Sequence, residues 1–310
     1  MSFSRGPDTD YWQLPTGSRL AYTHFAADGP AHSAPIIFLH GGPGSPLRGP
    51  DCAFYSQFTP YGFDVYLYDQ VGTGLSDRLA NVTEYTTQRH VADLEAIRQQ
   101  IGAAQLILIG QSWGATLAAD YMAAYPHAVA KVVFSSPGAI WDVGRFKFNY
   151  SQVASSSGPD LGLPPLRLLA AVVLIGRNPH AALWLVSEAE AGNYFDSLPS
   201  NKTLSQNYCP GDEAKIPDVE IHGANQYVNR VTMASQERYP DPRPALRNNA
   251  TLALILRGEC DFVPLAVAKE YEETLPNAIL VEAPRAGHAI FGAQPDLALQ
   301  LISAFLLDKQ

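Results

Sequence analysis

Residues 106–125 read LILIGQSWGATLAADYMAAY: an apolar run, a glycine-flanked serine and a helix-forming stretch in direct succession. Leu106 to Ile109 has the length and composition of a buried strand, and Ala115 to Tyr125 those of a helix. Gly110 and Gly114 leave room for one sharp turn between them, so GQSWG is predicted to present Ser112 on a strained elbow. The N-terminal amides and positive dipole end of the following helix would face any anion formed beside the Ser112 oxygen. Ser112 is therefore the candidate nucleophile.

Outward from this unit the chain alternates strands and helices. Strands are predicted at Ile36 to Leu39, Val65 to Tyr68, Leu106 to Ile109 and Val132 to Ser135, after an antiparallel pair between Tyr11 and Phe25. Val91, Leu94, Ile97 and Ile101 recur at helical spacing, which predicts a crossover helix with Asp93, Glu95, Arg98 and Gln99 facing outward. Residues 138–247 break the pattern with SSSGPD, LPP, PSNK, CPGD and PDPRP between helical stretches. Strand grammar resumes at Leu252 to Leu256 and Ala278 to Glu282, with helices near Ala266 to Leu275 and Asp296 to Leu307. The expected organisation is a mostly parallel α/β core in two parts, 1–137 and 248–310, with a helical cap, 138–247, inserted before the last core strands. Such a cap would lie over the carboxyl ends of the strands, where open α/β sheets place their ligands.

A nucleophilic serine needs a base, a group that orients the base, and donors for the oxyanion. His288, in AGHAIF, follows the last strand and precedes the last helix, where an imidazole can reach over the sheet toward Ser112. Asp261, in RGECDFVP just past Leu252 to Leu256, is the preferred orienting carboxylate; Glu259, two residues earlier on the same loop, is its rival. The order Ser112, Asp261, His288 is the one that accompanies a nucleophile elbow. Trp113 supplies the first oxyanion amide. The second is expected from HGGPG, His40 to Gly44, after the strand Ile36 to Leu39, with Gly42 as the donor. Gly42 precedes Pro43 in a tight turn, where a cis peptide is expected.

HGGPGSP at His40, DQVGTGLSD at Asp69, GQSWGATLA at Gly110, and the RGECD and AGH segments together resemble the proline iminopeptidase group of α/β-hydrolases. The resemblance covers about two thirds of the chain, the core, and leaves the cap unexplained. It implies an α/β-hydrolase fold and a serine hydrolase that removes N-terminal residues, especially proline, from peptides, with Ser112, Asp261 and His288 as triad. Two positions depart from the group: Val71 stands where an arginine is usual, and Gln111 replaces a usual glycine. The group reads a free α-amino group with acidic cap residues, and Glu188 and Glu190 in VSEAEAGNYF are the candidates for that role. The apolar stretch Leu166 to Ile175 and the aromatic residues Trp141, Phe146, Phe148 and Tyr150 either line a substrate pocket or form cap core. An ester, lactone or thioester substrate on the same machinery is the alternative reading. A non-catalytic ligand-binding protein on the same fold is a third, against which stands the presence of all three triad residues.

Composition narrows the remaining classes. The chain has 310 residues, 46% of them hydrophobic, and a formal net charge of −9. It offers no basic field for phosphate backbones or an anionic bilayer, so neither nucleic acid nor membrane is expected as a partner. The partner is expected to be a small molecule or short peptide, with no metal or cofactor required. The N-terminus lacks the apolar core of a signal peptide, which together with the short apolar runs points to the cytoplasm. Cys52, Cys209 and Cys260 are odd in number and lack metal-ligand spacing, which fits a reducing compartment and argues against a disulfide framework.

Overall fold

Ile36, Ile37, Phe38 and Leu39 are all buried, and the unbroken apolar run is explained by a strand covered on both faces. Ile37 and Leu39 join one hydrophobic cluster with Leu106, Leu108 and Leu117. Ile36 and Phe38 join another with Ile107, Ile109, Ile302 and Leu306. The computed structural model describes residues 9–149, 164–219 and 221–308. Its strands are β1 (Asp10–Gln13), β2 (Arg19–Phe25), β3 (Ile36–Leu39), β4 (Val65–Tyr68), β5 (Leu106–Gln111), β6 (Val129–Ser135), β7 (Leu252–Gly258) and β8 (Ala278–Ala283).

They form one eight-stranded sheet in the order β1-β2-β4-β3-β5-β6-β7-β8. β1–β2 and β2–β4 are antiparallel and all other pairs parallel, the mostly parallel α/β sheet expected. β3 and β5 are neighbours, and the chain leaves β3 toward β4 on one side and β5 toward β6 on the other, the kind of switch point where α/β sheets open a crevice. In the β3–β5 register Leu39 sits opposite Gly110. The segments that follow these strands, His40 to Gly44 and Ser112 onward, therefore leave the sheet side by side. β7 and β8 end in register at Gly258 and Ala283, which brings the loops carrying Asp261 and His288 to the same end.

The helices are α1 (Gly49–Tyr55), α2 (Thr87–Gln100), α3 (Trp113–Ala124), α4 (Leu166–Ile175), α5 (Pro179–Leu183), α6 (Glu188–Asp196), α7 (Ser200–Thr203), α8 (Gln226–Gln236), α9 (Arg243–Leu246), α10 (Leu265–Thr274), α11 (Ile290–Ala293) and α12 (Pro295–Leu307). Between β6 and β7 the described residues contribute helices and turns but no strand. Among the described residues no helix is long and apolar enough to cross a membrane.

Two expectations are corrected. Asp93 and Glu95 of α2 do not face outward: both are buried. Thr16 Oγ1 and Ser18 Oγ donate to Asp93 at 2.5 and 2.8 Å, and Tyr121 Oη donates to Glu95 at 2.8 Å. Helical spacing marks the apolar stripe but cannot show that polar partners from the N-terminal segment and α3 cover the rest of the helix. Cys209 and Cys260 are joined in a disulfide, with Cα atoms 5.6 Å apart, while Cys52 is buried and not disulfide-bonded. An odd count allows one pair plus one thiol, and a pairing 51 residues apart in sequence is set by the fold rather than by any local motif.

Candidate active site

Ser112 has φ 57° and ψ −123°, a left-handed conformation that costs a non-glycine residue energy and persists only where the surroundings enforce it. They do so through three glycines. A Cβ on Gly110 would lie 2.5 Å from the Gly114 carbonyl, one on Gly114 would collide with the Leu39 carbonyl, and one on Gly41 would lie 2.7 Å from Ser112 Cβ. Strand β5, helix α3 and the loop after β3 thus meet at backbone contact, and the serine is pushed out at the turn.

The loop His40 to Gly44 is fixed from behind. The Gln70 backbone N–H donates to His40 Nε2 at 2.9 Å, so that imidazole carries its proton on Nδ1, which faces the Gly41 carbonyl at 3.1 Å. Gln70 Nε2 donates to the His40 carbonyl at 2.9 Å. Asp69 accepts from the Leu47 and Leu75 amides, each at 2.9 Å. This gives the DQVGTG segment its part: it holds the turn. From the other side, the Asn225 N–H donates to the Gly44 carbonyl at 2.9 Å and Asn229 Nδ2 to the Pro43 carbonyl at 2.8 Å. The Gly42–Pro43 peptide is cis, as expected, and Gly42 has φ 122°. Among the described residues no backbone carbonyl accepts the Gly42 N–H. Trp113 is the first residue of α3, so its N–H has no intrahelical acceptor.

Asp261 and His288 meet beside this elbow. His288 Nδ1 lies 2.8 Å from Asp261 Oδ1, and the two side chains are 6% and 1% exposed, so the bond is shielded from water. The Val263 N–H donates to the same oxygen at 2.9 Å. Glu259, the rival carboxylate, instead accepts the Arg285 N–H at 2.8 Å. The imidazole lies against the Phe262 ring, centroids 4.4 Å apart. Gln111 Nε2 donates to the His288 carbonyl at 3.4 Å, tying the histidine loop to the elbow through the residue where a glycine is usual. Ser112 and His288 line one cavity of about 330 Å³ together with Gly41 and Gly42.

A further wall of the cavity comes from the segment after α7. Leu204, Gln206 and Asn207 line the cavity, the Asn207 carbonyl accepts the Ala289 N–H at 3.2 Å, and the Cys209–Cys260 disulfide joins this wall to the residue before Asp261.

The structure does not bring Glu188 or Glu190 to the cavity. Glu188 Oε2 accepts from Tyr85 Oη at 3.0 Å and Asn225 Nδ2 at 2.7 Å, which makes it a brace behind the residue that holds Gly44. Burial and this carboxylate together push the Tyr85 phenol up. Glu190 is ion-paired with Arg167 at the surface. In α4, Leu168, Ala171 and Ile175 are buried in the core while Leu166, Leu169 and Val173 are exposed, and none lines the cavity. Trp141 is covered by the Arg243 guanidinium, 4.8 Å from its ring; Phe148 is exposed, and Tyr150 lies outside the described residues. No group of three or more His, Cys, Asp or Glu side chains is arranged to hold a metal ion among the described residues. One cavity residue, Arg48, had as its sequence signal only a lone arginine four residues after Gly44.

A family model for the alpha/beta hydrolase fold matches residues 34–294. A proline iminopeptidase from Heyndrickxia coagulans is 40% identical over 124 residues, 39% of this chain and 41% of the relative. One from Xylella fastidiosa is 28% identical over 283 residues, 86% of this chain and 87% of the relative. Among solved structures, a thermophilic esterase from Thermogutta terrifontis superposes with a TM-score of 0.68 at 18% identity, covering 96% of this chain and 97% of that one. With its sheet order, its elbow and a family match that spans most of its length, the chain belongs to the α/β-hydrolase fold family, as a proline iminopeptidase-like hydrolase of the serine type.

Proposed function

We propose that the chain hydrolyses a carboxylic ester or amide through an acyl-enzyme, with Ser112 as nucleophile, His288 as general base and Asp261 as the group that orients it. The observation that carries this reading is the buried 2.8 Å contact between His288 Nδ1 and Asp261 Oδ1 at the cavity that Ser112 also lines. An Nδ1–H donated to Asp261 leaves Nε2 as the acceptor. Ser112 Oγ attacks the substrate carbonyl as its proton passes to His288 Nε2; the carbonyl π electrons move to oxygen, and the amides of Gly42 and Trp113 hold the resulting oxyanion. Collapse re-forms the carbonyl and expels the alcohol or amine, which takes the proton from the imidazolium. Water, activated by the same imidazole, then releases the acid and restores Ser112. The imidazolium formed in each half is stabilised by the Asp261 carboxylate.

Two substrate classes compete. Release of N-terminal residues is supported by the relatives' names and needs a carboxylate to receive a charged amine in a desolvated site. The ester reading is favoured by the lining: Asp51 is the one carboxylate among the described lining residues, and both its oxygens are bonded by Arg48. Turnover of proline anilide and of short 4-nitrophenyl esters by the wild-type chain and by Ser112→Ala tests both. Hydrolysis of either class that Ser112→Ala abolishes supports the mechanism, and hydrolysis that survives in that variant contradicts it. Cleavage of the esters alone would end the aminopeptidase reading.

A further inference from the structure

Arg48 is the cation of this cavity that no proton transfer uses. It lies at the start of α1 and lines the same cavity as Ser112 and His288. Asp51 holds it as a two-point fork, from Nε to Oδ2 at 3.3 Å and from Nη2 to Oδ1 at 3.2 Å, and also accepts the Arg48 backbone N–H at 2.8 Å. The pair is not symmetric toward the cavity: the Asp51 side chain is 2% exposed and that of Arg48 20%. The carboxylate is the more deeply buried partner, so the exposed part of the pair belongs to the arginine. Arg48 Nη1 has no hydrogen-bond partner among the described residues, so the planar fork keeps donors for a further acceptor.

Apart from the two histidines, the other polar side chains of the described lining, among them Gln206, Asn207, Gln226 and Thr203, are neutral amides or hydroxyls. Among the described lining residues an ammonium would find no carboxylate but Asp51, which the guanidinium already engages. A carboxylate would find a guanidinium already oriented by Asp51, with little side-chain freedom left to lose on binding. On the serine-hydrolase reading above, we propose that this site takes substrates carrying a carboxylate away from the scissile carbonyl, and that Arg48 is the residue that selects them.

The test is a ratio of kcat/KM values for matched esters. One arm places the carboxylate on the acyl side, 4-nitrophenyl hemiadipate against 4-nitrophenyl hexanoate. The other places it on the alcohol side, 4-acetoxybutanoate against 4-acetoxybutanamide. Arg48→Gln alone would leave Asp51 charged and buried, so the variant measured is Arg48→Gln/Asp51→Asn, which removes both charges and keeps an oxygen to cap the Arg48 position amide. Arg48→Lys, which keeps the charge but not the fork, serves as the conservative variant. In at least one arm the ratio of anionic to neutral ester should fall about tenfold or more in the double variant and recover in part with lysine. A ratio unchanged within about twofold in both arms overturns the proposal. Adipate should also slow fluorophosphonate labelling of the wild-type serine more than adipamide does, and equal protection by the two counts against an anion site whatever esters are turned over. Hydrolysis that survives Ser112→Ala would instead sink the mechanism beneath this inference, so the two failures are distinguishable.

Discussion

His288 Nδ1 and Asp261 Oδ1 are 2.8 Å apart although their residues lie on the loops after two different strands, β8 and β7. An asparagine at 261 can turn its amide N–H toward the ring, which would make Nδ1 the acceptor and put the proton on Nε2, where it blocks acceptance of the serine proton. Asp261→Asn should therefore lower kcat by roughly 10³- to 10⁴-fold with little change in KM. Steady-state kinetics on an ester substrate measure it, and a loss under about tenfold would remove Asp261 from the orienting role. Glu259→Gln, whose carboxylate instead caps the Arg285 amide, should stay within about twofold of wild type.

Gly114 tolerates no side chain, because a Cβ there would collide with the Leu39 carbonyl. Gly114→Ala must push α3 off β3 and is expected to cost about 1–3 kcal/mol, read as a lower midpoint of urea unfolding. Substitution without loss of stability would mean that helix and strand are not in backbone contact.

Asp120 of α3 is fully buried, and burial pushes its carboxyl up to about 8 against the single opposing hydrogen bond from Gln236. Asp93, likewise buried, is pushed up to about 6. A folded-state pKa above the unfolded value favours the folded protein at low pH and loses that contribution as pH rises through the window between them. Each such group contributes a fall of at most about 1.4 kcal/mol per pH unit. For Asp120 the window runs from its ordinary 3.8 to about 8. Asp120→Asn should flatten the decline of Tm between pH 5 and 8; an unaltered slope would show that Asp120 is ionised at little cost in the folded chain.

The disulfide predicts a thiol count. Under denaturing, non-reducing conditions the chain should show one reactive thiol, Cys52, and three after reduction. Reduction should also lower Tm, since a closed loop of this size contributes roughly 3–4 kcal/mol through the unfolded state. Three thiols without reductant would contradict the pairing.

Glu188→Gln should leave catalysis on an ester within a few-fold of wild type while lowering Tm slightly, because the side chain still accepts from Tyr85 or Asn225 but no longer as a carboxylate. Glu190→Gln, whose partner Arg167 is at the surface, should change stability by less than about 0.5 kcal/mol. A large rise in KM for proline anilide in either variant would restore the amine-reading role.

Most of the sheet was legible because its strands are buried on both faces and read as unbroken apolar runs: Ile36 to Leu39 and Val65 to Tyr68 coincide with β3 and β4. β5, β6 and β7 extend two or three residues further, through Gln111, Val129 and Gly258, since pairing with a neighbour can hold residues that composition does not mark. Ser112, Asp261 and His288 each follow a strand end, where local pattern fixes position. The burial of Asp93 and Glu95 is not legible in helical spacing because their partners, Thr16, Ser18 and Tyr121, are distant in sequence. Glu188, Arg48 and the Cys209–Cys260 pair fall under the same limit: their surroundings are assembled by the segment between β6 and β7 and by α1, whose packing no periodicity reports.

Whether the strained residue at the tip of β5 is the nucleophile is read by intact-mass analysis and peptide mapping after reaction with a fluorophosphonate. One adduct per chain is expected, located on Ser112 and absent from Ser112→Ala. An adduct on another residue, or labelling that persists in Ser112→Ala, would contradict it.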